Sequence, residues 1–229
     1  MRPFNKLTPN DSVFGIIYYL LQLLVIPGIL VVANMFLWNN ILSEAQANVI
    51  CFSLNFVAVL IIFRKFLRKE LRFAVANPWP ILRWAGIGFL IYMAGNTVVG
   101  LVITAIEPSF ANINDAAIME MVKENWGLMT LGTVIFVPIV EECFYRVLIF
   151  RNLYTRFPVL AYAVSMVIFS IAHVAAYIGV ESFGTLALCF LQYLPAGFAL
   201  AFAYRRSGSI FASVLIHMTV NQIGMLAMR

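Results

Sequence analysis

The sequence predicts an all-α protein built as one bundle of membrane-crossing helices. Three observations carry that reading. Of the 229 residues, 63% are hydrophobic and only 11% are charged, whereas soluble chains are about half apolar and about a quarter charged. The apolar residues gather in seven runs, each near the ~20 residues that a membrane helix needs. The charges lie between the runs, and basic connections alternate with acidic or nearly neutral ones. This composition excludes a disordered chain, a nucleic-acid module and an ordinary cytosolic enzyme. The net charge of +5 needs no nucleic acid, because basic loops facing a cytoplasm produce such an excess.

The first run spans 13–36. Only Arg2 and Lys6 precede it as basic residues, and it has no small-residue cleavage site. It is therefore expected to be a retained helix rather than a signal peptide. Glu44 is the one charge before the second run, 47–63. The loop 64–80 mixes Arg64, Lys65, Arg68, Lys69 and Arg72 with apolar residues. It is expected to extend the second helix or lie on an anionic leaflet, ending in a Pro78–Trp79–Pro80 turn. After the third run, 81–106, come Glu107, Asp115, Glu120 and Glu124 against Lys123. A short amphipathic helix fits near 111–125. Runs at 126–150, 158–179, 183–204 and 209–228 complete the bundle. Twelve basic residues then fall on one face of the membrane and two, Lys123 and Arg229, on the other. The positive-inside rule places the N-terminus in the cytoplasm and the C-terminus outside.

Cys51, Cys143 and Cys189 all sit in apolar runs without CxxC spacing. They read as small apolar residues, not as a disulfide or a thiolate metal site.

Few ionisable groups remain inside the runs: Glu141, Glu142, Arg146, His173 and His217. Such groups are costly in a bilayer, face the bundle interior and mark function, although a buried ion pair can also merely staple helices. Glu142 and Arg146, four apart, share a helix face, while Glu141 points about 100° away. Pro138 removes an amide and is expected to kink the helix beside the acidic pair, freeing the carbonyl of Val134. His217 and Asn221 share a face and can both donate to a developing anion. Phe169 stands one turn before His173. A glutamate and a histidine can activate water for hydrolysis. There is no GxSxG elbow, Ser–Lys dyad or HExxH zinc motif. Zinc on Glu141, His173 and His217 stays open from the residue types alone. So do a non-catalytic scaffold and a proton-coupled transporter, although the internal repeats usual in transporters are absent.

Glu141–Glu142–Cys143–Phe144–Tyr145–Arg146 fits EExxxR, Phe169 to His173 fits FxxxH, and His217 to Asn221 fits HxxxN. In this order, on apolar runs, they resemble the CPBP family, the CAAX proteases and bacteriocin-processing enzymes, also called Abi or type II CAAX prenyl endopeptidase-like. The resemblance covers about 126–224. It divides a single membrane domain, 1–229, into variable N-terminal helices, 1–125, and a catalytic core, 126–224. It implies an intramembrane endopeptidase. Glu141 is the expected catalytic glutamate, His173 shares its water, and His217 and Asn221 stabilise the oxyanion. Glu142 and Arg146 are the expected supporting pair. No cofactor is expected, with zinc as the alternative, and the other reading is a bacteriocin-immunity protein or scaffold of the same fold. Membrane lipids and a peptide or membrane-protein substrate are the expected partners, and a bacterial cell membrane the expected location.

Depth counting adds one expectation. Glu141 and His217 lie about 12–13 Å in from the basic face, whereas His173 lies about 22 Å along its helix from that face. One shared site then requires helix five to tilt or to begin outside the membrane. The expected cavity opens to the cytoplasm and laterally to lipid.

Overall fold

A computed structural model describes residues 4–5, 7–36 and 41–229. Arg2 and Lys6 lie outside the described residues. Among those described, the fold is helical throughout, apart from one isolated bridge between Ile178 and Glu181. The helices are α1 (Pro9–Leu24), α2 (Ile26–Phe36), α3 (Glu44–Ile62), α4 (Arg64–Ala76), α5 (Pro78–Ile106) and α6 (Ile113–Glu124). They continue with α7 (Trp126–Thr130), α8 (Val137–Glu142), α9 (Arg151–Tyr154), α10 (Pro158–Val174), α11 (Phe183–Ser207) and α12 (Ile210–Ala227). Two π-helical segments, Leu131–Phe136 and Cys143–Phe150, flank α8, so the chain is helical from α7 through α9. Among the described residues, five helices are long and apolar enough to cross a membrane, namely α3, α5, α10 with its 3-10 extension, α11 and α12.

The elements coincide run for run with those expected, with three differences. The first run is not one helix, because α1 and α2 meet at a bend of 43°. Pro27 accounts for the break, since it lacks an amide and its ring clashes with the carbonyl four residues back. The fourth run is helical throughout but changes winding twice. Pro78–Trp79–Pro80 is not a terminating turn but the first turn of α5. Proline suits that position, where the amide would have no intrahelical partner.

Local signals set the helix starts. Thr8 with Asp11, and Ser43 with Gln46, form capping boxes. Asn112 caps α6, accepting from the amides of Asn114 and Asp115. Gly208, at φ 70, closes α11 in the left-handed conformation, which glycine adopts without a Cβ penalty. Close helix contacts rest on small residues. A Cβ on Gly197 would stand 2.9 Å from Met166 Cα, so α10 and α11 meet backbone to backbone. A bilayer gives helix association no hydrophobic drive, so such close packing supplies much of it.

The bundle has two polar ends. At one, α4 turns Arg64, Lys65, Arg68, Lys69 and Arg72 outward and buries Phe66 and Glu70. Glu70 is not a solvated counter-charge to that basic stretch. It accepts from the Asn5 amide and, at 3.2 Å, from the Ile210 amide that opens α12. Arg151 donates to the Asn5 carbonyl at the same end. Arg205 lies over Tyr154 and Arg206 over Trp84. At the other end, Ala45 of α3 donates to Glu124 of α6, and Trp126 donates to Met225 near the end of α12. A cluster of Ala45, Met121, Val122, Met129 and Met225 is buried at this second end.

Candidate active site

Six side chains were expected to form the site: Glu141, Glu142, Arg146, His173, His217 and Asn221. The structure brings them to the middle of the bundle, on α8 with its following π segment, α10 and α12. Glu142 and Arg146 are both fully buried, with Arg146 Nε 3.1 Å from Glu142 Oε2. Arg146 also donates to Ser165 Oγ at 2.9 Å, and that hydroxyl reaches the Tyr145 carbonyl. The guanidinium lies over the Phe169 ring, 5.1 Å from its centroid. A buried pair with this many supports holds its geometry, whereas either charge alone would be costly.

His217 stands between the two glutamates. Its Nδ1 is 3.1 Å from Glu142 Oε1, and its Nε2 is 3.8 Å from Glu141 Oε2. Since the Glu142 carboxylate is paired with Arg146, it can only accept, so Nδ1 of His217 is the donor. Nε2 is then the nitrogen that faces Glu141. Glu141 is only partly buried, and its Oε2 has no hydrogen-bond partner among the described residues.

The histidine of the second motif is fixed in a different way. His173 Nδ1 is 2.8 Å from the Phe169 carbonyl. A carbonyl only accepts, so Nδ1 carries the proton and Nε2 is left for the cavity. Phe169 packs on His173 at 4.5 Å and edge-on to His217 at 5.9 Å, between centroids. The aromatic at helical spacing is therefore a spacer between both imidazoles and Arg146.

Asn221 is held across helices, its Nδ2 donating to the Thr133 carbonyl at 2.8 Å. The winding of the fourth run explains why that carbonyl is available. Val137 donates to Gly132, five residues back. In that register the partner of Thr133 would be Pro138, which has no amide. The π register moves the carbonyl that Pro138 leaves without a donor from Val134 to Thr133. Such π insertions are frequent at functional sites.

Two adjoining cavities of about 360 and 620 Å³ share His173, His217, Asn221, Asp115 and Tyr193 in their walls, and Glu141 lines the larger one. Three of the walls were not foreseen. Tyr193 of α11 stacks on His173, with centroids 4.2 Å apart. Its hydroxyl accepts from Asn114 at 3.1 Å and donates to Asn112 at 3.3 Å, tying α6 to the site. Asn112 also donates to Gln192 at 2.8 Å. Asp115 lies beside this network. Burial raises its carboxyl above the ordinary range, against the lowering pull of His173 and the Tyr193 hydroxyl. The signals were present in the sequence. Asn112-Ile-Asn114-Asp115 opens an amphipathic stretch, and Gln192–Tyr193 is a polar pair inside an apolar run.

The larger cavity reaches beyond the motif helices. Its walls come from the end of α1, the start of α3, α6 and the Ala175–Tyr177 turn. His173 is the penultimate residue of α10. Among the described residues, no three His, Cys, Asp or Glu side chains are grouped to hold a metal ion. One nitrogen of each histidine is already committed, to Glu142 and to the Phe169 carbonyl.

Comparison with known proteins meets this geometry from another side. The family described as type II CAAX prenyl endopeptidase Rce1-like matches residues 123–223. Among curated proteins, the one named Putative membrane peptidase YdiL, from Bacillus subtilis (strain 168), is 29% identical over 191 residues. The match covers 80% of this chain and 71% of that protein. No solved structure matches.

Proposed function

We propose, from the premise that residues 123–223 are the core of a CPBP-family membrane protease, that this chain is an intramembrane endopeptidase using water activated by Glu141. The observation that carries the reading is the meeting of Glu141, His173, His217 and Asn221 at one cavity, with Glu142 and Arg146 buried behind them. Water placed between Glu141 and His173 Nε2 gives its proton to the Glu141 carboxylate. Its oxygen bonds to the scissile carbonyl carbon, and the π electrons of that carbonyl move to its oxygen. The remaining amide hydrogen of Asn221 stands ready to donate to this oxyanion, and His217 does so from Nε2 when its ring carries both protons. Collapse re-forms the carbonyl and breaks the C–N bond, and the leaving amine takes the proton from Glu141. No step needs a metal. In this reading the protein is multi-pass, resides in a bacterial cell membrane, and acts on a peptide or membrane-protein segment.

Membranes holding the wild-type protein or Glu141→Gln should differ in the termini of at least one protein, whose uncut form accumulates with the variant. Turnover of that protein by purified enzyme should survive a chelator. A folded Glu141→Gln protein with an unchanged terminal proteome would favour the non-catalytic scaffold or immunity protein. Turnover lost to the chelator and restored by zinc alone would overturn the metal-free mechanism.

A further inference from the structure

We infer that Arg83 and Arg206, set against the single indole of Trp84, form a site for the phosphate of an anionic phospholipid in the cytoplasmic leaflet. The inference is independent of the protease reading and concerns the basic end of the bundle, not the cavity.

Three observations meet here. The first is the crowding of charge. The Arg83 guanidinium carbon lies 5.5 Å from the Trp84 ring centroid, and that of Arg206 lies 4.4 Å from it. The two like charges are therefore closer than about 10 Å, the Debye length at ~0.1 M salt, and their repulsion survives screening. The second is that the protein supplies them with no anion. The ion pairs among the described residues lie elsewhere, at Lys123, Arg146 and His217. The carboxylates of the basic end are engaged: Asp11 accepts from the Thr8 amide, and Glu70 accepts from Asn5 and the Ile210 amide. Arg206 Nε is buried without a hydrogen-bond partner among the described residues. A charge shielded from water on one side and lacking an acceptor is costly, and an anion from outside the chain removes that cost. A guanidinium that rests its face on a ring keeps its N–H edge in the plane, and that edge fits two phosphate oxygens.

The third observation is position. Arg206 is the penultimate residue of α11, and Trp84 is six residues from the start of α5, about 9 Å by the helix rise. Indoles gather at that depth, level with the headgroups. An apolar strip runs on from the pair toward the bilayer centre. Phe202 packs edge-on to Trp84 at 5.9 Å, and the exposed Phe198 stacks on Phe202 at 6.1 Å, between centroids. Gly86, three residues past Arg83, faces open space. An acyl chain fits along this strip while its phosphate meets the guanidinium groups. Net charge selects the lipid, because a choline headgroup would bring a third cation to the two already there. The basic loops place this end in the cytoplasm, and the cytoplasmic leaflet carries anionic lipids.

Native mass spectrometry of the purified full chain, titrated with phosphatidylglycerol or phosphatidylcholine, reads the binding. The wild type should hold phosphatidylglycerol at least tenfold more tightly than phosphatidylcholine. Arg83→Gln should weaken the anionic lipid at least fivefold by loss of a charge. Arg206→Lys should do the same at unchanged charge, by loss of the planar fork. Arg68→Gln removes an exposed charge of α4 at the same end and should change the affinity less than twofold. Equal losses in all three variants would mean a diffuse basic surface and overturn the inference, as would equal affinity for the two lipids. Arg83 is exposed, so its variant should keep the unfolding temperature of the lipid-free wild type, which separates lost binding from lost fold. The same temperature separates the sources of phosphate. Phosphatidylglycerol should raise it by several degrees in the wild type and not in Arg83→Gln, and inorganic phosphate at matched ionic strength should leave it unchanged. An equal rise with inorganic phosphate would assign the site to the free ion and overturn the lipid.

Discussion

At the scale of single residues, the site is a set of polar atoms held in place by neighbours with only one possible role. Arg146 and Glu142 fix each other, and Glu142 then fixes the donor nitrogen of His217. The Phe169 carbonyl does the same for His173. Each commitment aims the second nitrogen of the ring, which a lone histidine would not do. Arg146→Ala strands Glu142 in a dry interior and should cost about 3–5 kcal/mol of stability. The fall in unfolding temperature in detergent measures this. An unchanged temperature would mean that the pair contributes nothing to the fold. The four-residue spacing made this pair legible from the sequence, because partners within one turn are set by helix geometry alone. The contacts of Arg146 with Ser165 and Phe169 were not legible, because both lie on another helix.

At the scale of elements, the fourth run shows how one proline acts through a helix. Pro138 has no amide, the π register leaves the Thr133 carbonyl without a donor, and Asn221 of α12 takes it. Pro138→Ala restores a competing donor and should loosen Asn221. One hydrogen bond is worth about 0.5–1.5 kcal/mol net, and tenfold in rate is about 1.4 kcal/mol. Turnover should therefore fall about twofold to tenfold, with Glu142–Arg146 packing and unfolding temperature retained. Unchanged turnover would show that the bond to Thr133 does not position Asn221. A second element with an unforeseen task is α6. It was expected as an optional amphipathic stretch, yet its Asn112 and Asn114 hold the tyrosine that stacks on His173.

At the scale of the molecule, five helices among the described residues are long and apolar enough to cross a membrane, six if the bent α1–α2 pair is one span, and the loop charges call for an odd number, seven. An odd number puts the two termini on opposite faces. A reporter fused after Arg206 should read cytoplasmic, and one fused after Arg229 should read external. The same reading at both sites would overturn the topology.

The sequence by itself determined what is local. Hydropathy placed the runs, charge placed the loops, and the three motifs placed six residues on helices that meet. These properties depend on neighbours within a few positions, or on transfer from water to lipid, and both are written along the chain. Only the tertiary structure decided that Glu70 turns inward to Ile210, that Tyr193 lies against His173, and that Asn221 borrows the carbonyl of Thr133. Those partners stand 140, 20 and 88 positions apart in the chain. Contacts at such separation are set by how close-packed helices rotate and stack, and no local pattern encodes that.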